Sequence, residues 1–147
     1  MVERFSTKRD TCGDSFSYVG LTVQRDRNAP HIYVSQARYL RRVLGTFGML
    51  SCRGRATPMG ASVKRRARTE GKEEAADKNQ YRHVIGCLLY AALSSRPDIV
   101  YAVNVFGRFA SDPSVEHWRA IRPVLRYVKS KLDLTLPIIN PSLCGCR

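Results

Sequence analysis

The chain is short of several things that would place it quickly. None of its apolar runs approaches the ~20 residues that a bilayer-spanning helix needs. The opening MVERFSTKRDTCGD is charged and holds no apolar stretch of the kind found in a secretory leader. These two features predict an intracellular protein, in cytoplasm or nucleus, with no membrane partner. Acidic residues are scarce, 12 Asp plus Glu against 25 Lys plus Arg. Two-metal phosphoryl transfer needs carboxylates close enough to share divalent ions, yet there is no adjacent Asp pair and no Asp-x-Asp. Neither common Gly-rich phosphate loop occurs. The three histidines, His31, His83 and His117, have no nucleophile or carboxylate at a recognisable motif spacing, and His117 beside Trp118 reads as a packed helix residue. The five cysteines are odd in number and include no Cys-x-x-Cys, so free reduced thiols are expected rather than a disulfide or zinc framework. No self-contained catalytic site, metal site or cofactor site is legible.

Arginine is what the chain has in excess. It supplies 19 of the 25 basic residues and drives the formal net charge to +13. A planar guanidinium matches phosphate oxygens bidentately, so this bias points to nucleic acid. The apolar fraction of 44% is ordinary and allows a packed core.

Along the chain, residues 16–23 (FSYVGLTV) and 31–34 (HIYV) are β-prone runs separated by the turn-rich RDRNAP. They predict a hairpin with a long loop, with Gly20 marking a bulge or a close backbone approach. Ser35 is placed to cap a helix whose apolar stripe is Tyr39, Leu40, Val43, Leu44 and Phe47 and which Gly48 ends. Arg38, Arg41 and Arg42 fall on its other side. From Cys52 to Lys78 periodicity disappears and the run KRRAR is the basic extreme, which predicts a linker or mobile loop. Tyr81, Val84, Ile85, Leu88, Leu89 and Ala92 then form a continuous helical stripe, with Gly86 expected as a close-packing point. Arg96-Pro97-Asp98 reads as a helix stop followed by a capped restart, with Ser94 or Ser95 as the cap and Ile99, Ala102, Val103, Phe106 and Ala110 as the next stripe. A last helix carries Trp118, Ile121, Leu125, Val128 and Leu132, with Arg119, Arg122, Arg126 and Lys129 off that stripe. Pro123 interrupts it at an expected cost of ~3 kcal/mol. The final LPIINPSLCGCR shows no regular pattern.

The order of short motifs resembles the reverse transcriptase of copia-type long-terminal-repeat retrotransposons. The matching residues are Tyr18-Val19-Gly20, Ser35-Gln36 with Tyr39, Phe47-Gly48-Met49 and Thr57-Pro58-Met59. They continue with Tyr81-Arg82, Ile85-Gly86, Leu88, Tyr90, Arg96-Pro97-Asp98-Ile99, His117-Trp118 and Leu125-Arg126-Tyr127. Departures include Pro123, where the family usually has a basic residue, and Ser130-Lys131 in place of Gly-Thr.

The resemblance implies an α+β, mainly helical fold: a β-hairpin closing the palm, then a thumb-like bundle of about four helices. Residues 1–35 would end the palm with the primer-grip hairpin, and 36–60 would form the first thumb helix and turn. A basic mobile linker over 61–78, a helical thumb and connection segment over 79–132 and an irregular divergent tail over 133–147 would follow. The implied function is to grip template–primer duplex as part of an RNA-directed DNA polymerase. The catalytic aspartates, their Mg2+ and the ribonuclease H part would lie in other regions of the polyprotein, so the chain alone is expected to be inactive and to hold no cofactor. Its expected partners are the duplex and the palm, fingers and ribonuclease H parts. Tyr18, Gly20, Gln36, Arg38, Arg41, Arg42, Arg82, Arg96, Arg119, Arg122 and Arg126 form the candidate duplex-contacting set. A stand-alone basic helical DNA- or RNA-binding protein is the alternative.

Overall fold

The structure, a computed structural model, describes residues 15–25, 31–60 and 74–139. Within them a four-stranded antiparallel sheet joins four α-helices, which makes the class α+β. The strands are β1 (Ser15–Tyr18), β2 (Leu21–Arg25), β3 (His31–Ser35) and β4 (Leu136–Ile139), in the order β1-β2-β3-β4.

The first two strands correct the sequence reading. Residues 16–23 are not one strand with a bulge but a tight hairpin, with Tyr18 opposite Leu21. The turn residues Val19 and Gly20 both have positive φ, 46° and 80°, as a two-residue type I′ turn demands. A β-branched residue is disfavoured there, which hides the turn from composition. Its carbonyl is held from outside the hairpin, because the Tyr90 hydroxyl donates to the Val19 oxygen. The expected longer hairpin exists one strand later, between β2 and β3, with Arg25 opposite Ile32 and Thr22 opposite Ser35. The second correction is β4. The tail expected to be irregular sends Leu136–Ile139 alongside β3, with Val34 opposite Leu136 and Tyr33 opposite Pro137. Four residues are too few to show alternation, and Pro137 argues against a strand except at a sheet edge, where β4 lies.

The helices are α1 (Ala37–Thr46), α2 (Lys78–Ser94), α3 (Val100–Gly107) and α4 (Val115–Ser130), with a 3-10 turn over Pro97–Ile99 before α3. Their predicted stripes form one core. Leu40, Leu44, Tyr81, Leu88, Ile99, Phe106, Ile121 and Leu125 are all at most 1% exposed. The Tyr81 hydroxyl, buried with its ring, donates to the Phe106 carbonyl at 3.0 Å and ties α2 to α3.

The ends of the helices explain several of the motif words. Phe47-Gly48-Met49 is a Schellman cap on α1: Met49 N–H donates to the Leu44 carbonyl at 2.8 Å and Gly48 N–H to the Gly45 carbonyl at 3.1 Å. Gly48 takes the required left-handed φ of 64° and Met49 tucks into the core. At the start of α1 the N-cap is Gln36, without a side-chain cap bond, while the Ser35 hydroxyl accepts from Ala37 N–H at 3.3 Å. Asp77 caps α2 by accepting from Asn79 and Gln80 N–H. Ser114 and His117 form a reciprocal capping box on α4, and the His117 ring stacks on Phe109 with centroids 4.2 Å apart. His117 is thus the packed helix residue its position predicts. Helix α4 continues through Pro123.

Two expectations about close approach are reversed. Gly86 is exposed, and a Cβ there would meet nothing within 4 Å, so it is no packing point. The tight glycine is Gly54, whose added Cβ would sit 2.8 Å from the Ser130 Cβ. Residues 52–55, expected as the start of a mobile linker, are strapped along α4. Arg55 N–H donates to the Arg126 carbonyl, Lys129 Nζ to the Cys52 carbonyl, and the Ser130 hydroxyl to the Arg55 carbonyl at 2.6 Å. At the far end of the linker, residues 74–76 pair with residues 113–115 through Ala76 N–H to the Pro113 carbonyl and Val115 N–H to the Glu74 carbonyl. The KRRAR run lies outside the described residues.

Candidate nucleic-acid interface

Helix α4 presents its buried residues Ile121, Val124, Leu125 and Val128 to the core, so the residues a third of a turn or more away face out. Arg119 and Arg122 are exposed there, and Arg126 lies half-buried on the same arc with Lys129. The strap over residues 52–55 widens this arc. Arg126 Nε donates to the Arg53 carbonyl at 2.7 Å, which sets the exposed Arg53 beside the helix row. Arg53 and Arg55 lie along the α4 arginine row and are candidates that sequence reading missed. They were absorbed into a featureless linker, and the available signal was Arg-Gly-Arg, with the glycine marking the close approach to Ser130.

Helix α1 is arranged the same way. Leu40, Val43 and Leu44 are buried while Arg38, Arg41 and Arg42 are exposed. Arg41 reaches Asp133, just beyond α4, at 3.2 Å. Both side chains are well exposed, so solvent screens that pair and it contributes little stability. Arg82 is exposed on α2 and its Nε donates to the Ala110 carbonyl at 2.9 Å. Tyr18 is 59% exposed beside the Val19-Gly20 turn.

Two members of the expected set turn inward. Gln36 is 1% exposed, and its Oε1 accepts from the Ser95 hydroxyl at 2.7 Å. That bond also occupies Ser95, which does not cap the next helix. Arg96 is 1% exposed. Its Nε and Nη2 donate to the Asp98 carboxylate at 2.9 and 2.8 Å, and its Nη1 donates to the Lys131 carbonyl at 2.9 Å. The guanidinium also lies 5.8 Å from the centre of the Tyr127 ring. Burial works to raise the Asp98 pKa, but the bonds and charge of Arg96 outweigh it, and the carboxyl ends below its usual range. Burial and the neighbouring Asp98 push the Tyr127 hydroxyl up. Arg96 thus closes the corner between α2 and α3 and ties it to the end of α4. Its side chain has no surface to offer a phosphate.

Burial also raises the Tyr39 and Tyr81 hydroxyls, keeping both neutral, and Tyr39 donates to the Cys87 carbonyl at 3.2 Å. Among the described residues no group of three His, Cys, Asp or Glu is placed to hold a metal ion. Among the same residues no helix is long and apolar enough to cross a membrane. Cys52 and Cys87 are free thiols.

A small α+β domain with arginine-faced helices and a strapped fourth helix is therefore the class that the fold defines. Comparison with known proteins narrows it. The chain is 34% identical over 122 residues to the retrovirus-related Pol polyprotein from transposon TNT 1-94 of Nicotiana tabacum, a match covering 80% of this chain and 9% of that protein. It is 34% identical over 131 residues to the corresponding polyprotein from transposon RE2 of Arabidopsis thaliana, covering 89% of this chain and 8% of the relative. An uncharacterized mitochondrial protein of Arabidopsis thaliana, AtMg00810, is 30% identical over 112 residues, or 76% of this chain and 45% of that one. Over most of its length the chain is thus similar to retrovirus-related Pol polyproteins of plant transposons, and it spans less than a tenth of the length of the TNT 1-94 and RE2 polyproteins. No protein-family profile matches it, and no solved structure does.

Proposed function

We propose that the chain is the primer-grip and thumb portion of a copia-type reverse transcriptase, and that it holds template–primer duplex without carrying the carboxylates for nucleotide addition. The observation that carries this reading is the row of Arg119, Arg122 and Arg126 on α4 with Arg53 set beside it on the strap, together with the exposed Arg38, Arg41 and Arg42 on α1. Phosphate recognition needs positioned charge and no base-reading code, and that is what fixed helices with outward arginines supply. The exposed Tyr18 beside the tight Val19-Gly20 turn suits contact with a primer end. In this reading β1 to β3 close a palm, and α1 with α2 to α4 form the clamp. Arg82 joins the contact surface, whereas Gln36 and Arg96 shape it from within.

Binding to an RNA–DNA hybrid, measured at several salt concentrations, tests the proposal. With ~5 phosphates neutralised the log–log slope is about −4 to −5. Replacing Arg119 and Arg122 with alanine should weaken binding on every sequence alike and lower the slope by about 2. A flat salt response sinks the duplex-grip reading. A strong preference for one DNA sequence would favour the stand-alone regulator instead.

A further inference from the structure

Val19 is the one residue other than glycine with positive φ among the described residues, at 46°. The left-handed region is poor for a β-branched side chain, and such a residue stays there only where its surroundings hold it. Left to itself, a Val-Gly pair suits a type II turn, which needs positive φ at its second residue alone. That turn splays the strands of a hairpin, whereas the observed one matches their twist. Packing does not supply the hold. Val19 and Tyr18 are 65 and 59% exposed, and a Cβ added at Gly20 would meet nothing within 4 Å. What does reach the turn is the Tyr90 hydroxyl, which donates to the Val19 carbonyl and so fixes the peptide between the two turn residues. Among the described residues it is the one hydrogen bond that joins β1, β2 or their turn to a helix.

That hydroxyl comes from a braced position. Tyr90 lies half-buried on α2, with its ring edge-on to Tyr39 of α1 at 5.1 Å between centroids. Tyr39 is itself fixed by its bond to the Cys87 carbonyl, in the preceding turn of the helix that carries Tyr90. Two helices thus aim one donor at the hairpin tip, across 71 residues of chain. We propose that Tyr90 is a positioning residue: its hydroxyl holds the Val19-Gly20 turn in the left-handed form, and thereby sets Tyr18 where a recessed primer end meets it. Tyr90 acts through the turn and not by contact with nucleic acid. The role given to Tyr18 rests on the duplex-grip reading, while the hold on the turn stands on the geometry alone.

Tyr90→Phe in the full 147-residue chain is the test, because the ring that packs on Tyr39 stays and only the donor is lost. In a two-residue turn the Leu21 N–H donates to the Tyr18 carbonyl, so exchange of the Leu21 amide reads the turn directly. It should quicken about fivefold, as the loss of one hydrogen bond of ordinary strength allows, with the thermal midpoint little changed. Affinity for an RNA–DNA hybrid with a recessed 3′ end should fall by about the same factor. Affinity for a long uninterrupted hybrid, and its salt slope, should stay as in the wild type. A general loss of structure would lower both affinities together. Val19→Asn supplies the rescue, because an Asn-Gly pair takes the left-handed turn unaided. In that background Tyr90→Phe should change neither Leu21 exchange nor the end preference. Unchanged exchange in Tyr90→Phe overturns the proposal. So does a loss that Val19→Asn fails to repair, which would assign the effect to the link between hairpin and helix rather than to the turn. Quickened exchange with the end preference unaltered overturns the positioning role. If the chain binds no hybrid at all, a Leu21 amide that still responds upholds the grip of Tyr90 on the turn, and the duplex reading alone falls.

Discussion

Arg96 and Asp98 show how far a motif word can mislead about where its residues point. A conspicuous arginine in a basic chain invites assignment to phosphate, yet this one is buried, with its charge spent on Asp98 and its remaining donors on the Lys131 carbonyl. Asp98 is partly exposed, but removing its charge strands that of the buried Arg96. Asp98→Asn is therefore expected to cost about 3 kcal/mol in a denaturation experiment. The effect on duplex affinity should follow stability rather than lost phosphate contact. Because the folded-state pKa of Asp98 lies below its unfolded value, the contribution of the pair is complete above about pH 4. It is lost as pH falls through the lowered folded value, so an acid titration of stability should be shallower in Asp98→Asn than in the wild type. The glycines give a second residue-scale test. Gly86→Ala meets no neighbour and lies in a helix interior, so it should stabilise by about 0.5–1 kcal/mol. Gly54→Ala forces the strap away from Ser130 and should destabilise, with amides of residues 52–55 exchanging faster in a hydrogen-exchange measurement.

At the scale of elements, the helices were legible and the strands only partly so. Stripes of ten or more residues at a 3.6 period leave little ambiguity, and the predicted stripe residues of α1, α2, α3 and α4 all lie in or against one core. The strands are four or five residues long, and a Val-Gly turn or a Leu-Pro-Ile-Ile edge strand carries no periodic signal. Helix α4 holds one avoidable defect. Pro123 cannot donate to the Arg119 carbonyl, so Pro123→Ala should raise the thermal midpoint, with a gain of up to about 3 kcal/mol. No gain in a calorimetric scan would mean that the local packing has adapted to the ring.

For the molecule as a whole, charge and topology divide the labour. The +13 charge supports the proposed anionic partner, and the salt dependence of hybrid binding tests it directly. Sequence alone determined the α+β class, the helical core, the outward arginines of α1 and α4 and the kinship with transposon Pol polyproteins, because these follow from local periodicity, composition and motif order. Only the tertiary structure decided which polar residues are consumed inside. Gln36 and Ser95 find each other across 59 residues, and Arg96 finds the end of α4 across 35. It alone brought the tail back as β4 and laid Arg53 beside Arg126. Each of these depends on contacts between distant parts of the chain, and a spacing pattern within one segment carries no information about them.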